Sequence, residues 1–104
     1  MTEYEDFEPF FQAVIAEIKR HDPEFGDSWK ELDEVMWTLN TNTPFPVPTD
    51  KYLDWRMIGL VNTYERKPLT EEQQLDELLD ITAFCAMRWM RSYLKRMEEQ
   101  SNAA

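Results

Sequence analysis

The stretch from Thr70 to about Glu99 carries apolar residues at helical spacing around most of its circumference, so the rest of the chain must pack on it. Leu75, Leu79, Thr82, Ala86, Trp89, Met90, Tyr93 and Met97 make one stripe, which Leu78, Ile81, Phe84, Cys85 and Met87 widen nearly all the way round. A helix apolar on most sides is the centre of a bundle, or packs a second face against another subunit. Asp80 stands in its middle, among Leu78, Leu79, Ile81 and Phe84. An unpaired charge buried there costs several kcal/mol or titrates away. Its partner is a basic side chain such as Arg56, Arg66 or Arg88, a hydrogen-bonding network, or a metal ion.

The preceding chain offers further helices. Phe7, Phe10, Phe11, Val14, Ile15 and Ile18 share one face of a helix over residues 7–20, ended by His21, Asp22 and Pro23. Gly26 supplies a turn, and Asp27 or Ser28 caps a short helix to about Leu39. Residues 40–50, with Pro44, Pro46 and Pro48, read as an extended loop. Helical spacing resumes at Asp50, a plausible cap, with Leu53, Met57, Leu60, Val61 and Tyr64 as the stripe and Gly59 marking a close helix crossing. Thr70 and Gln73 form a capping-box pair, and residues 100–104 should fray. The expected fold is all-α: a single domain over residues 1–104, a bundle of about four helices completed by oligomerisation.

The chain has 104 residues and a formal net charge of −10, which disfavours direct binding to nucleic acid or to an anionic membrane. No apolar run is long enough to span a bilayer, and the acidic start does not resemble a secretory signal, so a cytoplasmic location is expected. The lone Cys85 reads as a small core residue.

Glu77 and Asp80 are three apart and share a helical face, as do Asn62 and Glu65 on the helix before. An antiparallel turn through residues 67–69 can bring these four oxygen-bearing side chains together. Hard cations such as Mg²⁺ or Mn²⁺ prefer such ligands, and bundle cores hold carboxylate metal sites. Spacing alone is weak in so acidic a chain; the apolar context of Asp80 lifts this pair above others such as Glu31 and Glu34.

"DELLDITAFCAM" resembles the second metal-binding helix of the MazG-like all-α nucleotide pyrophosphohydrolases, whose signature pairs Glu-x-x-Glu with a following Glu-x-x-Asp. "FGDSWKEL" is similar to a Gly-Asp-Ser-Trp stretch after the first helix in several branches of that family. The resemblance implies an oligomeric helical enzyme that uses Mg²⁺, or Mn²⁺, to cleave nucleoside triphosphates into monophosphate and pyrophosphate. By position, Glu77 and Asp80 match the second motif and Glu65 the second glutamate of the first. The metal ligands would then be Asn62, Glu65, Glu77 and Asp80, with Glu65 and Glu77 also handling the attacking water. Asn62 replaces the first glutamate and Ala83 replaces a polar residue, both departures from the pattern; Asp54 is a candidate to compensate. A silent module that binds a nucleotide or protein, and an acidic interaction protein, are the alternatives.

Arg88, Arg91 and Lys95, with Arg96 beside them, satisfy the helix C-terminus and balance an acidic chain, or grip phosphates, for which only Arg88 and Arg91 lie within about three turns of Asp80. Trp29, Trp37 and Trp55 flank the proline stretch; Trp55 offers a face for a base to stack on, or these rings anchor the loop, which is the candidate lid. His21 reads as a helix-ending or exposed residue, and no histidine–cysteine metal cluster or Ser/His/Asp triad assembles without forcing it in.

Overall fold

The computed structural model describes residues 3–21, 29–30, 32–37 and 43–103. A short 3₁₀ turn, Glu3–Phe7, leads into α1, Glu8–Arg20. Strands β1, Glu34–Trp37, and β2, Phe45–Pro48, form an antiparallel ribbon. Helices α2, Thr49–Arg66, and α3, Glu71–Ala103, follow. The described residues are mostly helical, with three helices and one two-stranded sheet among them.

α3 is the axis. α2 runs antiparallel to it after the turn at residues 67–70, and α1 packs on it from another side. Its start is a capping box: Gln73 N–H donates to Thr70 Oγ1 at 3.2 Å, and Thr70 N–H to Gln73 Oε1 at 3.0 Å. The helix extends through Ala103. The core gathers Trp29, Val47, Tyr52, Leu53, Phe84 and Met87, with Ile18, Val35, Trp37, Met57, Leu60 and Met90 packed around them.

The strands correct two expectations. Residues 34–37 are β1 and not the end of a helix to Leu39; Gly26, Asp27 and Ser28, its expected turn and caps, lie outside the described residues. Residues 45–48, expected as loop, pair with β1 in the register Glu34↔Pro48, Val35↔Val47, Met36↔Pro46, Trp37↔Phe45. Alternate residues of a strand direct their N–H groups to opposite edges, so Pro46 and Pro48 forfeit bonds only on the outer edge. Val47 and Phe45 meanwhile turn inward with Val35 and Trp37.

This ribbon fixes where α2 begins. Thr49, fully buried, donates its N–H to Asp33 O at 3.0 Å and its hydroxyl to Leu32 O at 2.7 Å. Asp50 does not cap the helix: Pro48 occupies the N-cap position, with no side-chain cap. The Asp50 carboxylate reaches Arg91 on α3 instead.

The rotation of α3 is a further correction. Ala83, Phe84 and Met87 are fully buried, whereas Leu75, Trp89, Tyr93 and Met97 face outward and Cys85 is exposed rather than a core residue. A helix apolar nearly all round has no preferred face by hydrophobicity, so its polar partners decide: Asp80 turns to α1, and Arg88 and Arg91 to α2. Gly59 does not mark a close crossing, because a Cβ there would meet no atom within 4 Å. Gly59→Ala should therefore stabilise the protein by about 1 kcal/mol, the full helix-propensity difference, read as a raised urea midpoint. A loss of stability would place a neighbour against that position.

Candidate functional site

Asp80 meets the last turn of α1. Glu17 and His21, four apart, project from one side of that turn. His21 ends α1 at the C-cap, its backbone N–H donating to Ile18 O at 3.0 Å, and its buried ring lies 4.9 Å from the Phe84 ring. The expectation of a helix-ending histidine holds, but the residue is buried rather than exposed. His21 Nε2 is 3.5 Å from Glu17 Oε1 and 3.7 Å from Asp80 Oδ1. One ligating atom from each of the three residues lies within 4.8 Å of the others, and among the described residues no other trio of acidic, histidine or cysteine side chains converges so closely.

The basic partner of Asp80 is Arg20, and not Arg56, Arg66 or Arg88. Arg20 Nη2 reaches Asp80 Oδ1 at 3.4 Å, and its Nε donates to Glu17 Oε1 at 2.9 Å. Arg56 instead donates to the Tyr52 hydroxyl at 2.6 Å and lies over the Phe84 ring. Burial, then the hydrogen bond and charge of Glu17, push the Asp80 carboxyl up to about 6, outweighing Arg20 and His21. The hydrogen bond from Arg20, and next that from Asp80, hold Glu17 well below the usual carboxylate range. The two acids thus divide their roles: Glu17 accepts as a carboxylate while Asp80 carries the shared proton in mild acid.

A cavity of about 350 Å³ opens beside them, lined by Glu17, Arg20, Asp76, Leu79 and Asp80. Glu77, one turn before Asp80, is half-buried; its Oε2 is cut off from solvent and accepts no hydrogen bond from a described residue. Such an atom costs about 1–3 kcal/mol.

The other sequence candidates fall elsewhere. The contacts of Asp54 with Arg88 and of Asp50 with Arg91 set the α2–α3 register. Asn62 and Glu65 lie on the last turns of α2. Both are exposed, and Glu65 is outside the converging trio. Arg88 donates to Asp54 at 3.0 Å, so Asp54 serves an ion pair. Arg91 is bound to Asp50 and donates to the carbonyls of Trp29 and Lys30 at 2.8 and 3.0 Å. Trp55 leans on Trp37, ring centroids 5.0 Å apart, with one face in solvent. A larger cavity of about 840 Å³ adjoins Lys30, Asp50, Arg91 and Lys95. Its least exposed charge, Arg91, is already satisfied, so volume alone indicates no chemistry there.

Arg91→Leu should cost about 2 kcal/mol in a denaturant melt, since it leaves Asp50 and two carbonyls without their donor. A phosphate-gripping arginine would leave stability unchanged when replaced. No family model, no curated protein and no solved structure matches this chain.

Proposed function

We propose that the chain is a MazG-like nucleoside triphosphate pyrophosphohydrolase, cleaving between the α- and β-phosphates, with Asp80 at its centre. The observation that carries this is a half-buried carboxylate beside Glu17 and His21, at the wall of a cavity open to solvent. Carboxylates with a proton affinity raised by burial and by a second acid cluster at functional sites.

The donor set fits a divalent cation. Glu17 and Asp80 offer oxygens, and the orphaned Glu77 Oε2 lies one turn away on the same helix. When bound, a Mg²⁺ or Mn²⁺ ion would neutralise phosphate charge and acidify an attacking water. Glu77 would accept that proton, the role the family resemblance implies for it. Arg20 stands at the cavity lip and can turn from Glu17 to a phosphate oxygen. Asn62 and Glu65 on α2 would complete the set that the family resemblance implies. Ala83 is fully buried, so an amide there would need a partner inside the core.

The same proposal includes a homo-oligomer, a dimer or tetramer. Phe7, Phe10, Phe11 and Ile15 leave the apolar face of α1 uncovered, and Trp89, Tyr93 and Met97 do so on α3. The radius of gyration is 16.0 Å, whereas a compact chain of this length has about 13 Å. Helices of a second copy would complete the four-helix bundle and cover both faces. A silent nucleotide-binding or protein-binding module is the second reading, favoured by Asn62 in place of an acid.

The test is pyrophosphate release from a panel of ribo- and deoxynucleoside triphosphates with Mg²⁺ or Mn²⁺. Turnover that Asp80→Asn abolishes would support the hydrolase. With no turnover on any substrate, the silent module takes its place.

A further inference from the structure

We infer that Glu17, His21 and Asp80 form a site for a single first-row transition ion, Mn²⁺, Fe²⁺ or Zn²⁺, in preference to Mg²⁺. This assignment deepens the hydrolase reading and rests on it for the substrate, while its test reads the ion directly.

The geometry is close to that of a bound ion. Ligands about 2.1 Å from a tetrahedral metal stand roughly 3.4 Å from one another. Nε2 of His21 lies 3.5 Å from Glu17 Oε1 and 3.7 Å from Asp80 Oδ1, so small side-chain rotations suffice to close on an ion. The backbone contributes the rest of the placement. Glu17 and His21 are one turn apart on a single helix end, and that end is packed on α3 at Asp80. The Phe84 ring at 4.9 Å confines the imidazole, so little freedom is lost when a metal binds it.

The donor chemistry selects the ion. Mg²⁺ takes oxygen ligands and releases its waters reluctantly, whereas imidazole suits the borderline ions of the first transition row. Three protein ligands with further positions open are the pattern of reactive rather than purely structural centres. Glu17 and Asp80 line the cavity of about 350 Å³, through which a water or a phosphate oxygen would reach an ion held there.

Arg20 makes the site switchable. Its guanidinium supplies positive charge to both Glu17 and Asp80, the two carboxylates an ion would claim. A metal entering the trio displaces Arg20 into the cavity mouth, where its charge meets an incoming anion. Arg20→Gln should therefore bind the ion more tightly than wild type while losing affinity for inorganic pyrophosphate.

His21 is the only histidine in the chain, so nitrogen ligation can be assigned without a variant. Full-length protein stripped with chelator is titrated with Mn²⁺, Zn²⁺ and Mg²⁺ by calorimetry, and its Mn²⁺ form is examined by electron spin echo modulation. The expected result is ¹⁴N modulation from one imidazole and Mn²⁺ or Zn²⁺ binding more than about tenfold tighter than Mg²⁺. His21→Gln should weaken the transition ions by at least about tenfold and leave Mg²⁺ unchanged. Bound Mn²⁺ without nitrogen modulation, or equal affinity for all three ions, would overturn the inference, as would no binding by folded protein. Nitrogen-ligated metal without pyrophosphate release would defeat the hydrolase alone; release by an ion held without nitrogen would defeat this inference alone.

Discussion

Phe84→Ala should lower the stability of the chain by about 4 kcal/mol, as full truncation of a buried phenylalanine does. Phe84 is fully buried at the junction of all three helices: it is in the α2–α3 core, faces the His21 ring from α1, and carries Arg56 of α2 over its face. Its neighbours in the core, Leu53, Met87 and Val47, are themselves buried and packed, so the space left would close only in part. A domain of this size holds only about 5–15 kcal/mol in total, so the midpoint of thermal unfolding should drop by roughly 20 °C. Trp89→Ala is the control. Trp89 is larger but mostly exposed, and its loss should cost under about 1 kcal/mol in the monomer. Urea melts of the two variants compare the two faces of α3 directly. Equal costs would mean that α3 turns Trp89 inward, which would dismantle the site as well as the core.

That comparison also locates what could be read from the residues and what could not. The three helices were legible because each is long and periodic, and the start of α3 because Thr70 and Gln73 have a specific reciprocal geometry. The ribbon was not. "EVMW" is too short to separate a period of two from a helical turn, and prolines at alternate positions read as an absence of hydrogen bonding. In fact the alternation is itself a strand signal, since it leaves one edge of β2 intact. The rotation of α3 was hidden for a different reason: with apolar residues nearly all round, burial cannot choose a face, and the choice falls to Asp80, Arg88 and Arg91. Asp80 could be singled out by its apolar context. Its partners could not, because the docking of α1 on α3 brings together residues far apart along the chain. The available signal was Glu17 and His21 one turn apart at the end of a helix, a spacing that places two ligands on one face. A lone histidine at a helix end more often has only a helix-ending role, so that spacing by itself does not single out a site.

Asp80→Asn separates a functional carboxylate from a structural one by the sign of its effect. Folding raises the Asp80 carboxyl from its ordinary value near 3.8 to about 6. The folded protein therefore keeps a proton that the unfolded chain releases, and wild-type stability falls as the pH rises from about 4 through 6. Glu17, held low by Arg20 and Asp80, acts oppositely, so its contribution is lost as the pH falls below about 4. The groups acting on Asp80 are Glu17, Arg20 and His21 at the end of α1. An asparagine amide can donate to Glu17 as the protonated acid does, yet it cannot ionise. At pH 7.5 without metal, Asp80→Asn should therefore be more stable than wild type, by on the order of 1 kcal/mol once the solvent-facing side of the carboxyl is discounted. Its stability should be flat between about pH 4.5 and 6.5, where the parent declines. Were Asp80 chiefly the salt-bridge partner of Arg20, the variant would be weaker at neutral pH. Saturating Mn²⁺ should invert the order: an ion at a hundred times its Kd stabilises the wild type by about 2.7 kcal/mol and the variant far less. Thermal melts at pH 4.5, 6 and 7.5, with chelator and with Mn²⁺, read both signs. A crossing of the two proteins on adding metal would identify Asp80 as a group whose charge is held for a cation, at a cost to the stability of the empty fold.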